Sequence, residues 1–124
     1  MIPDLTPTAF VPGVLVGVGG AAGAIARYLV AKRASSPGRA TLTVNVLGSF
    51  ALGALTAGQI GDPVTLALAV GFCGAFTTFS SFAVETTDTL TSAGPLSAGR
   101  VALLHLVGAL LAVALGGLLG AVVL

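Results

Sequence analysis

The stretch GFCGAFTTFSSF, residues 71–82, places four hydroxyls, two glycines and four phenylalanines inside an otherwise apolar run. Phe72, Phe76 and Phe79 are spaced i, i+4, i+7, and Phe82 follows three residues later, so a helix gathers the four rings on one side. A single Ser or Thr in a helix bonds back to its own backbone. The adjacent pairs Thr77–Thr78 and Ser80–Ser81, close to Gly71 and Gly74, instead point to a helix broken near its middle. Unwound backbone at bilayer depth is tolerated only where protein buries it or a wet cavity satisfies it. The carbonyls it frees are good ligands for a small cation. Aromatic faces are negative and edges positive, so rings presented edge-on can host an anion without a formal charge.

The rest of the chain supports bilayer depth for this stretch. Of 124 residues, 56% are hydrophobic and 18 are glycine, with only five basic and four acidic side chains. That is far too little charge for the surface of a water-soluble domain of this size, so lipid is the solvent for most of it. A net charge of +1 cannot neutralise a nucleic acid backbone, so no nucleic acid partner is expected. The lone Cys73 excludes an internal disulfide and reads as a small buried side chain. The N-terminus MIPDLTPTAF has no basic region and no cleavage pattern, so the first apolar segment is expected to stay as a span.

A crossing helix needs about 20 apolar residues. Four windows fit, at 11–31, 40–60, 63–84 and 100–124, giving an all-α membrane protein with a single four-span domain over residues 1–124. The breaks between them are KRASSPGR (32–39), a GDP turn (61–63) and the polar, glycine- and proline-containing ETTDTLTSAGPLSAG (85–99). Arg27, Lys32, Arg33, Arg39 and Arg100 all fall on one side in this scheme. Cytoplasmic loops retain Lys and Arg, so loops 32–39 and 85–100 are predicted to be cytoplasmic and both termini outside. Small residues recur four apart at Gly19/Gly23, Gly20/Ala24, Gly53/Ala57 and Gly116/Gly120, the pattern that lets helices in lipid approach closely. An oligomer is expected, because four close-packed helices leave little interior for a pathway.

Thr41, Asn45 and Gly48 or Ser49 share one face of the second span. Asn45 must find a partner there, either an interhelical hydrogen bond or a permeant anion taking its two N–H donors. Arg27 either snorkels to the interface or faces a vestibule that concentrates anions. His105 reads as a packing or interfacial residue, and Glu85 and Asp88 as solvated residues at the end of the third span. No His, Cys or acidic cluster suggests a transition-metal site. No acid and nucleophile turn accompany the Ser and His residues, so the chain is not expected to be an enzyme.

The segments GGAAGAIARY (19–28), TLTVNVLGSFALG (41–53) and GFCGAFTTFSSF (71–82) resemble, in order and spacing, the signature segments of the Fluc/CrcB fluoride channels. The resemblance implies an antiparallel dimer of four-helix subunits in the bacterial plasma membrane, exporting fluoride passively through two narrow pathways and so lowering cytoplasmic fluoride. Carried over position by position, it implies Phe79 and Phe82 as pore phenylalanines and Asn45 as anion donor. It implies Arg27 as the basic residue of the first motif, with Thr78, Ser81 and Thr41 as further pathway positions. It also implies a central structural sodium ion on the backbone carbonyls of Gly74 and Thr77 from both subunits.

The chain departs from that family in two places. Where members carry a Tyr and two Ser at four-residue intervals in the fourth span, this chain has His105, Ala109 and Val113. Its loop charges are also strongly one-sided, and a chain that inserts one way cannot pair antiparallel with itself. Both departures point to one half of a heterodimer with a related subunit of opposite orientation, rather than a homodimer. The alternatives are a small four-span multidrug exporter, which needs a membrane-embedded carboxylate that spans one to three lack before Glu85, and a non-conducting partner subunit.

Overall fold

A computed structural model describes residues 6–58 and 61–124, and every regular element among them is helical. The chain forms α1 (Pro7–Arg33), α2 (Pro37–Thr56) and a third run made of four pieces, followed by α6. The pieces are α3 (Pro63–Leu66), a π-helical segment (Ala67–Cys73), α4 (Gly74–Phe76) and α5 (Phe79–Ala93), and α6 is Pro95–Val123. Each of the four helical runs opens on a proline in its first turn: Pro7, Pro37, Pro63 and Pro95. Proline fits there because its fixed φ suits a helix and the N–H it lacks would have no intrahelical partner. Ser36 caps α2 by accepting from the Arg39 N–H at 3.3 Å. Asp62 caps α3, accepting from the Val64 and Thr65 N–H groups at 2.9 and 3.0 Å. These bonds and one from the Thr65 hydroxyl hold the exposed Asp62 carboxyl below its ordinary pKa.

The helices outrun the expected spans. α1 starts at Pro7 rather than 11 and α2 at Pro37 rather than 40, but α2 stops at Thr56, short of the expected 60; residues 59 and 60 of that window lie outside the described residues, as do residues 1–5. The larger correction concerns residues 85–100, expected to be a polar loop. They are helical except for Gly94, which joins α5 to α6 at φ 89°, a left-handed conformation that favours glycine. Four of the hydroxyls that made this stretch look like a loop bond back to carbonyls three or four residues earlier, Thr87 to Ala83, Thr89 to Glu85, and Thr91 and Ser92 to Asp88, at 2.7–3.0 Å, whereas the Thr86 hydroxyl is buried without a partner. Satisfied in this way, the four do not compete with the helix.

Among the described residues three runs are long and apolar enough to cross a membrane: Pro7–Arg33, Pro63–Ala93 and Pro95–Val123. α2, interrupted by Thr41, Asn45 and Ser49, is not among them. Large apolar side chains such as Leu104, Leu111 and Leu118 point outward, as expected where lipid is the solvent. The inside is built from small residues. α1 lies along the π-helical segment, and α2 lies along α6. A Cβ added at Gly19, Gly23 or Gly71 would strike the backbone of Ala67, Phe72 or Val16, and one at Gly53, Gly116 or Gly120 would strike that of Val113, Phe50 or Ala54. The expected faces at Gly19/Gly23, Gly53/Ala57 and Gly116/Gly120 are therefore contact faces, Gly20/Ala24 is not, since Ala24 is exposed, and Gly71, not anticipated among them, completes the first.

Candidate functional site

The α-helical ladder stops at Phe76, and Thr77 (φ −81°, ψ 161°) and Thr78 (φ −150°, ψ 117°) are extended. The broken third helix is thus present, two residues wide. On its upstream side the Thr77 N–H and hydroxyl both bond the Cys73 carbonyl, at 3.0 and 2.9 Å. Downstream, Thr78 caps α5 through its hydroxyl, which accepts from the Ser81 N–H at 3.2 Å. Thr78 is also held from the side. The Asn45 amide donates to the Thr78 carbonyl at 3.0 Å and accepts from the Thr78 N–H at 2.8 Å, so one side chain satisfies both backbone groups of an unwound residue. Gly48, one helical turn on from Asn45, leaves room for the Thr77 methyl.

Arg27 reaches into the bundle from α1 and donates from Nη1 to the Thr77 carbonyl at 3.1 Å, instead of snorkelling outward. Asn45 keeps one N–H beyond its two bonds to Thr78, so half of the donor capacity expected of it already serves the fold. The break separates two cavities, and Thr78 lines both. One, of about 600 Å³, lies among Asn45, Ser49, Phe79, Phe82 and His105, with Gly74 and Thr77 on its wall. The other, of about 410 Å³, lies among Arg27, Thr41, Ser81 and Glu85. Phe79 is 78% exposed, the most exposed of the four rings in the stretch, while Phe82 packs at 5.6 Å from it and at 4.9 Å from the His105 ring.

All nine residues singled out in the sequence therefore lie at the break or along the two cavities beside it. Three others join them. Glu85, expected in solvent, is half-buried on α5. Its Oε1 accepts from the Thr41 hydroxyl at 2.5 Å, and its Oε2 is buried without a partner. The sequence held the signal: Thr78, Ser81 and Glu85 are i, i+3 and i+7, one face of a helix that runs on past residue 84. Asp88 is exposed, as expected. His105 is only 9% exposed, and Ser49 lines the larger cavity.

The backbone at the break can be tested as a sodium ligand set. In an unbroken helix the Thr78 N–H would bond the Gly74 carbonyl. Here it bonds Asn45, which removes that donor from the Gly74 oxygen. The Thr77 carbonyl accepts from Arg27 and keeps one lone pair. No heavy atom lies within 4 Å of where a Gly74 Cβ would be, so this wall is open to a neighbouring chain. Both carbonyls thus keep lone-pair capacity that a cation could use, with the Arg27 guanidinium already on one of them. Among the described residues no group of three or more His, Cys, Asp or Glu side chains could hold a metal ion.

Fold and site together define a helical membrane protein organised around a broken helix. Residues 14–121 match the family model described as CrcB-like protein, Camphor Resistance (CrcB), and the chain belongs to that family. It is 47% identical over 113 residues to "Fluoride-specific ion channel FluC 2" of Natronomonas pharaonis, covering 91% of this chain and 97% of that protein. It is 46% identical over 110 residues to "Fluoride-specific ion channel FluC 1" of Halobacterium salinarum, covering 87% and 92%. To "Fluoride-specific ion channel FluC" of Chlorobium chlorochromatii it is 44% identical over 112 residues, covering 82% and 86%.

Proposed function

We propose that this chain is a subunit of a fluoride-selective channel that lets fluoride leave the cell passively across the cell membrane. The observation that carries this is the coincidence of family membership with a polar break beside the exposed Phe79 and the half-buried Phe82. A small, strongly hydrated anion needs several donors close together when it sheds water. In the larger cavity the free N–H of Asn45, the hydroxyl of Ser49 and the edges of Phe79 and Phe82 are donors of that kind, none with a full charge, and the Ser81 hydroxyl lines the second cavity across the break. Weak sites suit conduction, because the ion must leave as readily as it enters. Arg27, on the wall of the second cavity, attracts anions towards the path, and Thr41 and Thr78 line that same wall.

A single chain leaves Phe79 and the Gly74 wall uncovered, which supports assembly with a second subunit. Antiparallel pairing places the two breaks side by side, so that Gly74 and Thr77 carbonyls of both chains hold one structural sodium ion. The one-sided charges place residues 32–39 and the α5–α6 junction in the cytoplasm and both termini outside, with α2 as a fourth crossing. That fixed orientation favours a related partner chain over a second copy. Names numbered FluC 1 and FluC 2 among the relatives fit chains that occur in sets.

A carboxylate-driven exporter loses its sequence-level objection, because Glu85 is a packed helix residue. Family membership, not the absence of an acid, weighs against it. Purified chain reconstituted in liposomes with a related partner is expected to release fluoride and retain chloride, and without the partner to release little of either. Chloride efflux at the fluoride rate, or none of either with both chains present, overturns the channel assignment. Fast fluoride efflux from the chain alone overturns obligate heterodimerisation. Replacing sodium by N-methylglucamine during purification should destabilise the dimer, and unchanged stability removes the sodium site.

A further inference from the structure

The turn from α1 into α2 stands at the basic end of the bundle. α2 and α6 run parallel, since Gly108 lies against Val46 and Gly120 against Ala54, so α6 starts at the end where α2 starts. Lys32, Arg33, Arg39 and Arg100 therefore share that end, all exposed, with Asp88 as the exposed acid there. We infer that the α1–α2 turn is a binding site for an anionic phospholipid, whose phosphate lies among Lys32, Arg33 and Arg39 and whose acyl chains run along the outward face of α1. The inference needs the bilayer and not the channel assignment.

The outward face of α1 leads to this turn. Val18, Ile25, Leu29 and Lys32 are i, i+7, i+11 and i+14, one stripe of a helix, and the three apolar members are exposed, as side chains that meet acyl chains are. Where the stripe ends, the Lys32 Nζ lies 5.5 Å from the centroid of the exposed Tyr28 ring. An aromatic ring and a snorkelling cation at the end of an apolar stripe belong at the depth of lipid headgroups. The turn itself adds to the positive charge. A helix N-terminus favours acids, yet the first turn of α2 holds none and carries Arg39. The Arg39 Nη1 donates to the Ser35 hydroxyl at 3.2 Å, which draws the guanidinium back over the turn. Glu85 lies behind it, with Oε2 3.7 Å from where a Gly38 Cβ would be, but its Oε1 is engaged on the inner side by Thr41. A free phosphate would use only the cations. A phospholipid uses the cations and the apolar stripe below them, and each basic side chain at a membrane surface strengthens the attraction to an anionic lipid by about fivefold.

The test is to titrate the purified protein in detergent with phosphatidylglycerol or phosphatidylcholine and to count bound lipid by native mass spectrometry. Phosphatidylglycerol is expected to bind at least about tenfold more tightly, and equal binding of the two lipids overturns the inference. Lys32→Gln is expected to lose about fivefold of that preference, and K32Q with R39Q to lose nearly all of it. Arg100 lies at the same end but on α6, which does not pack along α1, so R100Q is expected to change the preference by less than about twofold. Equal losses from K32Q and R100Q mean a diffuse surface potential and no site, which overturns the inference. K32R keeps the charge and is expected to keep the lipid; its failure assigns Lys32 to packing on Tyr28 and overturns the inference too. Inorganic phosphate at the same concentration is expected to leave the bound lipid in place, and displacement by it assigns the turn to a soluble anion. All the substituted side chains are exposed, and a wild-type gel-filtration profile checks that each variant is folded. None of these readouts depends on fluoride, so the lipid site and the channel assignment fail separately.

Discussion

α2 makes two kinds of contact, one on each side of the helix. Along Val46, Phe50, Gly53 and Ala54 it meets α6, where Gly53, Gly116 and Gly120 let two regular helices approach until only hydrogens fit between their backbones. Along Asn45 and Gly48 it meets Thr77 and Thr78, where the opposite helix is not regular at all. The first contact works by removing side chains and exposes no polar group. The second works by adding one amide that replaces the hydrogen bonds an unwound residue has lost. Lipid offers no hydrophobic gain for helix association, so close approach and hydrogen bonding are the two means left, and α2 uses one on each face.

The contrast can be broken from either side. On the glycine side, Gly116→Leu drives a side chain into the Phe50 backbone, which cannot yield. Complete loss of monodisperse protein on gel filtration is expected. The same change at Gly13, which has open space around it, should leave the elution profile intact. On the polar side, Asn45→Ala leaves both the N–H and the carbonyl of Thr78 unpaired. The cost is about 2–4 kcal/mol, at roughly 1–2 for each group, read as a lower thermal unfolding midpoint in detergent. A midpoint within a degree of wild type would mean that water or lipid headgroups satisfy the break as well as Asn45 does.

The smallest effect lies away from both contacts, at Asp62. Its folded-state pKa is lowered by its bonds to Thr65 and Val64, so the stability it contributes is complete above the ordinary carboxylate range. That contribution is lost as pH falls through the lowered folded value. A shallow decline of the unfolding midpoint on acidification is expected in the wild type. Asp62→Asn should remove that decline and keep the cap; an unchanged acid slope assigns it to other groups.

Much of this was legible in the chain. The small-residue faces and a break near the middle of the third helix follow from spacing and from what lipid does to unpaired polar groups, while the roles of the residues around the break came with the family resemblance. Two features were misread for the same reason: polar residues were taken to mark loop. The stretch 85–100 is rich in Thr and Ser, yet in α5 each of those hydroxyls from Thr87 to Ser92 has a carbonyl of its own helix within reach. The prolines were the better guide, since Pro7, Pro37, Pro63 and Pro95 each mark a helix start. With residues 85–100 taken as loop, Glu85 fell in solvent and its place beside Thr41 was invisible.

By itself, the sequence determined a helical membrane protein with a polar break in its third helix, because composition and periodicity are local and lipid penalises every exception. Only the tertiary structure decided what each exception does. It pairs Asn45 with both backbone groups of Thr78, brings Arg27 to the Thr77 carbonyl, sets Glu85 against Thr41 and leaves one nitrogen of His105 without a partner. Those pairings join residues 33 to 50 positions apart, and no local pattern encodes which distant group meets which.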